Sequence, residues 1–198
     1  MPDIKFPRPP LSLIEHLPGR GVDLYIGDSR ALSSPAILAR HGITTVVNCA
    51  VNLDVNLVTV PAASEQADDL VHGHAGFRYY KIGMIDGSGN TAEHMLGAYF
   101  ILKAALDQVM PDRPSYPNKT RGNILVNCRG GRSRSVTLVA LFLHLDMPQK
   151  YPTLAAAIDH IRQQRLLQPA EWHETPKPSL IASAEFAIEQ LSAMRLPA

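Results

Sequence analysis

The chain has 198 residues, of which 45% are hydrophobic and 19% charged, a composition that indicates one folded domain and excludes general disorder. The formal net charge of +1 excludes an overall basic field for nucleic acid, so any affinity for anions must come from a local cluster. Two cysteines, and no stretch near the roughly 18 apolar residues of a membrane span, predict a cytoplasmic location without stable membrane insertion.

The predicted elements alternate along the chain. The proline-rich residues 1–21 are predicted to form an N-terminal extension, followed by a single domain over residues 22–195. Strands are predicted at 22–27, 43–50, 77–86 and 123–127. A short helix is predicted within 33–42, with a serine cap, Pro35 in its first turn and Gly42 after its last, and further helices from Thr91 onward, at 135–145, near 153–165 and near 179–195. The polar segment 61–76 is predicted to be a loop. Strands that alternate with helices favour an α/β fold with a central, mainly parallel sheet flanked by helices.

The sequence Asn-Cys-Arg-Gly-Gly-Arg-Ser-Arg-Ser at 127–135 links the last predicted strand to an apolar helix. A loop at a helix N-terminus presents free backbone N–H groups and the positive end of the helix dipole. Gly130 and Gly131 allow the backbone to curl around an anion, and Arg134 can add a bidentate fork for two phosphate oxygens. The same field stabilises a thiolate, so Cys128 is a candidate nucleophile beside an anion cradle.

The spacing Cys128-x-x-Gly131-x-x-Arg134-Ser135 resembles the signature loop, cysteine followed by five residues and arginine, of the dual-specificity branch of the cysteine-dependent protein tyrosine phosphatases. The flanking elements resemble that branch as well: the opening segment 23–50, the strand and turn at 79–90, and the helix at 155–165. The resemblance implies a protein-tyrosine-phosphatase-like fold and a phosphomonoesterase that needs neither a metal nor another cofactor. Its substrate would be a phosphorylated protein or another multiply anionic phosphomonoester.

The resemblance also implies a role for each matching residue. Cys128 would attack phosphorus, Arg134 would hold the phosphoryl oxygens, and Ser135 would hydrogen-bond the departing thiolate. Asp86 would act as general acid and then as general base. The substrate-binding backbone would be that of Arg129, Gly130, Gly131, Arg132 and Ser133. Asp86 is also compatible with a simple turn, and Ser135 with a simple helix start.

Two features of the loop raise alternatives. The family has histidine before the cysteine, where this chain has Asn127. We expect activity to be retained at a reduced level, and Asn127 is the one feature that favours the alternative of a phosphate-binding module without turnover. Arg129 and Arg132 resemble basic positions in phosphoinositide phosphatases, and the string 131–135 resembles the mitochondrial phosphatidylglycerophosphate phosphatase. These arginines therefore indicate an anionic lipid phosphatase, unless they are solvated surface charges. An arsenate reductase or sulfurtransferase would lack the order of strand, acid and helix.

Three further residues carry weaker hypotheses. Cys49 ends a strand predicted to neighbour the cysteine loop, and a core position is favoured over a resolving cysteine that traps oxidised Cys128 in a disulfide. His72 and His74 lie in a flexible stretch and are predicted to be loop residues, so no metal site is expected. The sequence leaves the oligomeric state open.

Overall fold

The computed structural model describes residues 6–62 and 70–194. Within them the strands are β1 (Leu11–Leu17), β2 (Val22–Gly27), β3 (Ile43–Ala50), β4 (Val58–Pro61), β5 (Gly73–Ala75), β6 (Arg78–Met84) and β7 (Asn123–Asn127). The α-helices are α1 (Ser29–Leu32), α2 (Pro35–Arg40), α3 (Ala92–Asp107), α4 (Arg134–Asp146), α5 (Leu154–Gln164) and α6 (Pro178–Met194). A 3₁₀ turn covers Pro169–Glu171.

The main sheet has five strands in the order β1-β2-β7-β3-β6. All neighbours pair in parallel except β1 and β2, which are antiparallel. The helices α3, α4, α5 and α6 pack in one apolar cluster against one face of this sheet, and α1 and α2 contribute to a second cluster with Leu125 and Val46. The predicted α/β fold with a mainly parallel central sheet is confirmed.

The strand β7 and the helix α4 occupy the centre of the molecule. β7 lies between β2 and β3, and the first ten residues of α4 are all buried. A helix enclosed on every side must be apolar all round, as predicted for 135–145. The carboxyl ends of β2, β7 and β3 therefore open at one edge of the sheet, where α/β proteins place their ligand sites.

The strand β1 lies inside the segment 1–21 that the sequence analysis set apart as an extension, so the main sheet begins before residue 22. The register shifts between Leu13 and Glu15, which marks an irregularity of the β-bulge kind. Burial consequently falls at Leu11, Ile14 and Leu17. A spacing of three residues hides the two-residue alternation by which a strand is recognised.

The helix predicted within 33–42 has the serine cap, the Pro35 start and the glycine after its end that the sequence indicated: α2 covers Pro35–Arg40, and the Ser34 hydroxyl accepts from the Ile37 N–H at 3.4 Å. A separate turn of helix, α1, precedes it and was not predicted. One other prediction needs correction. The predicted loop 61–76 contains β5, which pairs with β4 in a two-stranded sheet. Residues 63–69 of that loop lie outside the described part of the chain.

Candidate active site

The candidate nucleophile lies where β7 ends and the chain turns into α4. Cys128 follows the last residue of β7, and Arg134 is the first residue of α4. The loop between them therefore faces the N-terminus of a helix of 13 residues, whose first N–H groups have no partner within the helix. This is the placement that the sequence predicted for a candidate anion cradle.

The thiol of Cys128 is only 2% exposed, and its Sγ lies 3.3 Å from the Ser135 Oγ. Burial, the largest influence, would raise the pKa of the Cys128 thiol. Together, four other influences outweigh burial, so the pKa of Cys128 is lowered. They are the hydroxyl and the N–H of Ser135, the charge of Arg134 and the N–H of Arg132. The buried Cys128 therefore forms a thiolate more readily than an ordinary cysteine does.

The guanidinium of Arg134 is buried and held from two sides. Its Nη1 donates to the Asn52 Oδ1 at 3.0 Å and to the Met84 carbonyl at 3.1 Å. Its Nε has no hydrogen-bond partner among the described residues and lies 4.0 Å from the Asp86 Oδ1. Because an unpaired buried donor is unfavourable, this edge of the guanidinium is available for an anion in the loop.

The candidate general acid stands in an open loop after β6. The Asp86 side chain is 44% exposed. Asn90 closes the loop on itself, accepting from the Ile85 N–H at 2.8 Å and donating to the Ile85 and Gly87 carbonyls at 2.9 and 3.1 Å. Lys177 Nζ reaches across from the start of α6 and donates to the Asp86 carbonyl at 3.2 Å.

A buried arginine supports the underside of the cysteine loop. Arg165 donates from Nε to the Gly131 carbonyl at 3.2 Å and from Nη1 to the Pro9 carbonyl and the Ser12 Oγ. Burial lowers the pKa of Arg165 to about 10. Gly131 has φ of 61°, and a Cβ there would meet the Arg165 Nη2 at 2.7 Å and the Gly27 carbonyl oxygen at 2.8 Å. Glycine is required at this position.

The two rim arginines differ in their partners. Arg132 Nη1 donates to the Glu171 Oε1 at 3.0 Å, and Arg8 Nη2 donates to both oxygens of the same carboxylate at 2.7 and 2.9 Å. Arg129 is exposed, and no hydrogen bond or ion pair of its side chain occurs within residues 6–62 and 70–194. Arg132 therefore shares one carboxylate with Arg8, whereas Arg129 has no such partner in that part of the chain.

Asn127 and Cys49 lie beneath the loop. The Asn127 Nδ2 is 3.5 Å from the Asn48 Oδ1, and the buried Asn127 Oδ1 has no partner in residues 6–62 and 70–194. Asn48 is fixed in turn, donating to the Tyr79 hydroxyl at 2.8 Å. Cys49 is fully buried in the same cluster as Cys128, and burial followed by the charge of Cys128 raises its pKa well above the usual value. Both cysteines are free, which fits the favoured core position of Cys49.

The structure brings the predicted catalytic residues together around one loop: Cys128, Arg134, Ser135 and Asp86. Of the predicted substrate-binding residues, Ser133 is buried, and its Oγ accepts from the Lys177 N–H at 3.0 Å. Gly130 faces the Arg132 side chain, with a position for Cβ 3.3 Å from Nε. His72 and His74 are exposed, and in the described ranges no cluster of three or more His, Cys, Asp or Glu residues suits a metal ion.

Sequence reasoning missed four residues of this site: Asn52, Arg165, Glu171 and Lys177. Of these four residues, only Arg165 could have been recognised from a pattern in the sequence. It follows Leu154, Ala157, Ile158 and Ile161, the buried residues of α5, at a spacing of four from the last of them. That spacing places it on the buried face of the helix.

Several solved structures, dual specificity phosphatases among them, superimpose on this chain. A variant of human DUSP28 superimposes with a TM-score of 0.62 at 20% identity, covering 94% of this chain and 99% of that chain. A candidate dual specificity phosphatase from mouse, complexed with zinc tungstate, gives 0.60 at 20% identity over 96% and 93%. PTPMT1 in complex with PI(5)P gives 0.52 at 16% identity over 94% and 99%.

These similarities establish that the chain has the fold of the dual-specificity phosphatases. No protein-family model matches the chain. In the part of the chain that the structure describes, every helix is too short or too polar to cross a membrane. At such low identity the comparisons show the fold alone, so the chemistry must be argued from the geometry of the site.

Proposed function

We propose that the protein is a cysteine-dependent phosphatase of the dual-specificity type, which hydrolyses phosphomonoesters through a phosphocysteine intermediate. One observation carries the proposal. Cys128, with a lowered pKa, lies 3.3 Å from Ser135 and within the field of the buried Arg134. A nucleophile and a dianion cradle thus share one loop.

The groups on the two sides of the loop account for both half-reactions. The Cys128 thiolate attacks phosphorus, the bond from phosphorus to the leaving oxygen breaks, and Asp86 gives its proton to that oxygen. Water then attacks the phosphocysteine and gives a proton to the Asp86 carboxylate, and the bond from sulfur to phosphorus breaks. Phosphate leaves and the thiolate is restored with a hydrogen bond from Ser135. Arg134 and the loop N–H groups stabilise the charge of both transition states.

Phosphate release from p-nitrophenyl phosphate between pH 5 and pH 8 tests the proposal. Wild type should turn over, and Cys128→Ser should have no detectable activity. Asp86→Asn should lose roughly 10²-fold in kcat, because the acid that protonates the leaving oxygen is gone. A wild type as inactive as Cys128→Ser would instead support the phosphate-binding module, with Asn127 as its cause.

The preferred substrate, we further propose, is multiply anionic: a phosphorylated protein with neighbouring acidic groups or an anionic phospholipid headgroup. The uncompensated charge of Arg129 on the rim favours this second candidate function. The complex of PTPMT1 with PI(5)P provides a precedent in a protein of the same fold. The near-neutral formal charge of the whole chain, +1, does not suit nucleic acid.

Because Arg132 contacts Glu171, we expect Arg129 to contribute more than Arg132 to the preference for multiply anionic substrates. Arg129→Ala should lower kcat/KM for a soluble phosphoinositide by about 3-fold to 10-fold relative to p-nitrophenyl phosphate, because a free charge attracts the second anion. Arg132→Ala should change that ratio less, because the contact with Glu171 partly offsets its charge and holds its guanidinium at that carboxylate. Equal ratios for both variants and wild type would remove the preference for multiple charges and leave the phosphatase in place.

The cysteines support a reducing location, which we propose to be the cytoplasm. Both are buried and free, as expected where thiols stay reduced. Whether mild peroxide joins Cys49 to Cys128 is a separate hypothesis. Peptide mapping without reductant would detect the linked peptide, and its absence would exclude such a switch.

A further inference from the structure

Lys177, the residue before α6, touches both loops of the site. Its backbone N–H donates to the Ser133 Oγ at 3.0 Å, next to Arg134 in the cysteine loop. Its Nζ donates to the Asp86 carbonyl at 3.2 Å in the acid loop. One residue therefore connects the loop of the nucleophile to the loop of the acid, although it lies 91 positions from Asp86 in the chain.

The acid loop has few other external restraints. Asn90 supplies the hydrogen bonds to Ile85 and to the Gly87 carbonyl, but it belongs to the same loop. Gly87 has φ of 127°, and the nearest neighbour to a Cβ there would be the Lys177 Cδ at 3.6 Å. The lysine stem thus runs along the glycine that follows Asp86. Arg134 Nε, at 4.0 Å, is beyond hydrogen-bonding distance of the carboxylate.

We propose that Lys177 is a positioning residue that fastens the acid loop to the cysteine loop and so aims Asp86 at the leaving oxygen. The inference rests on the proposed function. Proton transfer needs the donor within hydrogen-bonding reach of the leaving group, and a misplacement of about 1 Å can cost up to about 10²-fold in rate. A backbone anchor at Asp86 itself limits that misplacement.

The test compares Lys177→Met, which keeps the length of the side chain without its donor, with Lys177→Arg, which keeps a donor. Phenyl phosphate, whose leaving group needs a proton, is compared with 2,4-dinitrophenyl phosphate, whose leaving group does not. Lys177→Met should lower kcat on phenyl phosphate by about 10-fold with little change in KM. Activity on the dinitrophenyl ester should stay within about 2-fold, and Lys177→Arg should restore most of the loss.

A double variant isolates the route of the effect. In an Asp86→Asn background, Lys177→Met should cause no further loss, because the group that it positions is already absent. Equal losses on the two esters, or the same loss with Asp86 absent, would overturn the positioning role while the phosphatase remained established.

Hydrogen exchange provides a readout that does not depend on turnover. Amides of residues 85–90 should exchange faster in Lys177→Met than in Lys177→Arg or wild type. If the amides of residues 85–90 exchanged at the wild-type rate in Lys177→Met, the proposal that Lys177 fastens the acid loop would be overturned. A wild type without activity would count against the proposed function alone, and the exchange rates would still decide whether Lys177 fastens the acid loop.

Discussion

The cysteine loop and the acid loop face each other across the site, and they are built in opposite ways. The cysteine loop is buried at Cys128, Gly131 and Ser133, and Arg165 donates to its Gly131 carbonyl. Arg134 is fixed by two acceptors on other elements. The acid loop is exposed and depends mainly on its own Asn90. The difference suits the tasks that we propose for the two loops, because an anion cradle must be assembled before substrate arrives, whereas an acid must adapt to leaving groups of different shape.

The largest effect is expected from Arg134→Lys. A lysine keeps the charge, but it cannot satisfy Asn52 and Met84 while also presenting a planar fork to the phosphoryl group. We expect kcat to fall by about 10²-fold to 10³-fold, measured with p-nitrophenyl phosphate. Arg132→Lys, the same change on the partly exposed rim, is the control and should lose less than about 3-fold. Similar losses in the two variants would contradict the view that rigid burial distinguishes Arg134.

A pair of glycine variants compares the two loops directly. Gly131→Ala forces a Cβ to within 2.8 Å of the Gly27 carbonyl oxygen, and we expect it to lower the free energy of unfolding by about 2–5 kcal/mol. Gly87→Ala is strained at φ of 127° but meets no atom closer than 3.6 Å, so a loss of about 1–2 kcal/mol is expected. Urea denaturation measures both. Equal losses would show that the acid loop is as integral to the fold as the cysteine loop.

The smallest of these effects concerns the thiol. Ser135→Ala removes the hydroxyl that stabilises the thiolate, so the pKa of Cys128 should rise towards its usual value. Because only the thiolate is alkylated, the midpoint of the iodoacetamide rate against pH should move upward by about one pH unit. Circular dichroism would verify the fold of the variant. An unmoved midpoint would assign the lowered pKa to Arg134 and the backbone N–H groups alone.

The sequence was informative wherever a feature is local. The strand, the cysteine loop and the buried helix follow one another within 24 residues, from Asn123 to Asp146, so spacing and hydrophobicity sufficed to predict them. The pairing of Arg132 with Glu171 joins residues 39 positions apart, and a charge pattern along the chain does not show which acid a base will meet. Lys177 and Asn52 were missed for the same reason.

Asp86 shows an intermediate case. Its place after a strand and before a glycine-rich turn could be predicted from the sequence, and the structure puts it beside Arg134. The hydrogen bond from Lys177 to its carbonyl could not be predicted, because Lys177 comes from the start of the last helix. Local patterns thus predicted the reacting groups, whereas the groups that hold them depend on tertiary packing.

The strand β1 affects how the protein can be handled. A recombinant fragment trimmed to begin at Val22 would lose the antiparallel partner of β2 and leave a row of unpaired N–H and C=O groups along a largely buried strand. Such an edge is a template for intermolecular pairing. The fragment would also lack Arg8, a partner of Glu171. Shortening the chain at its proline-rich start would therefore promote aggregation and loosen the rim of the site in a single step.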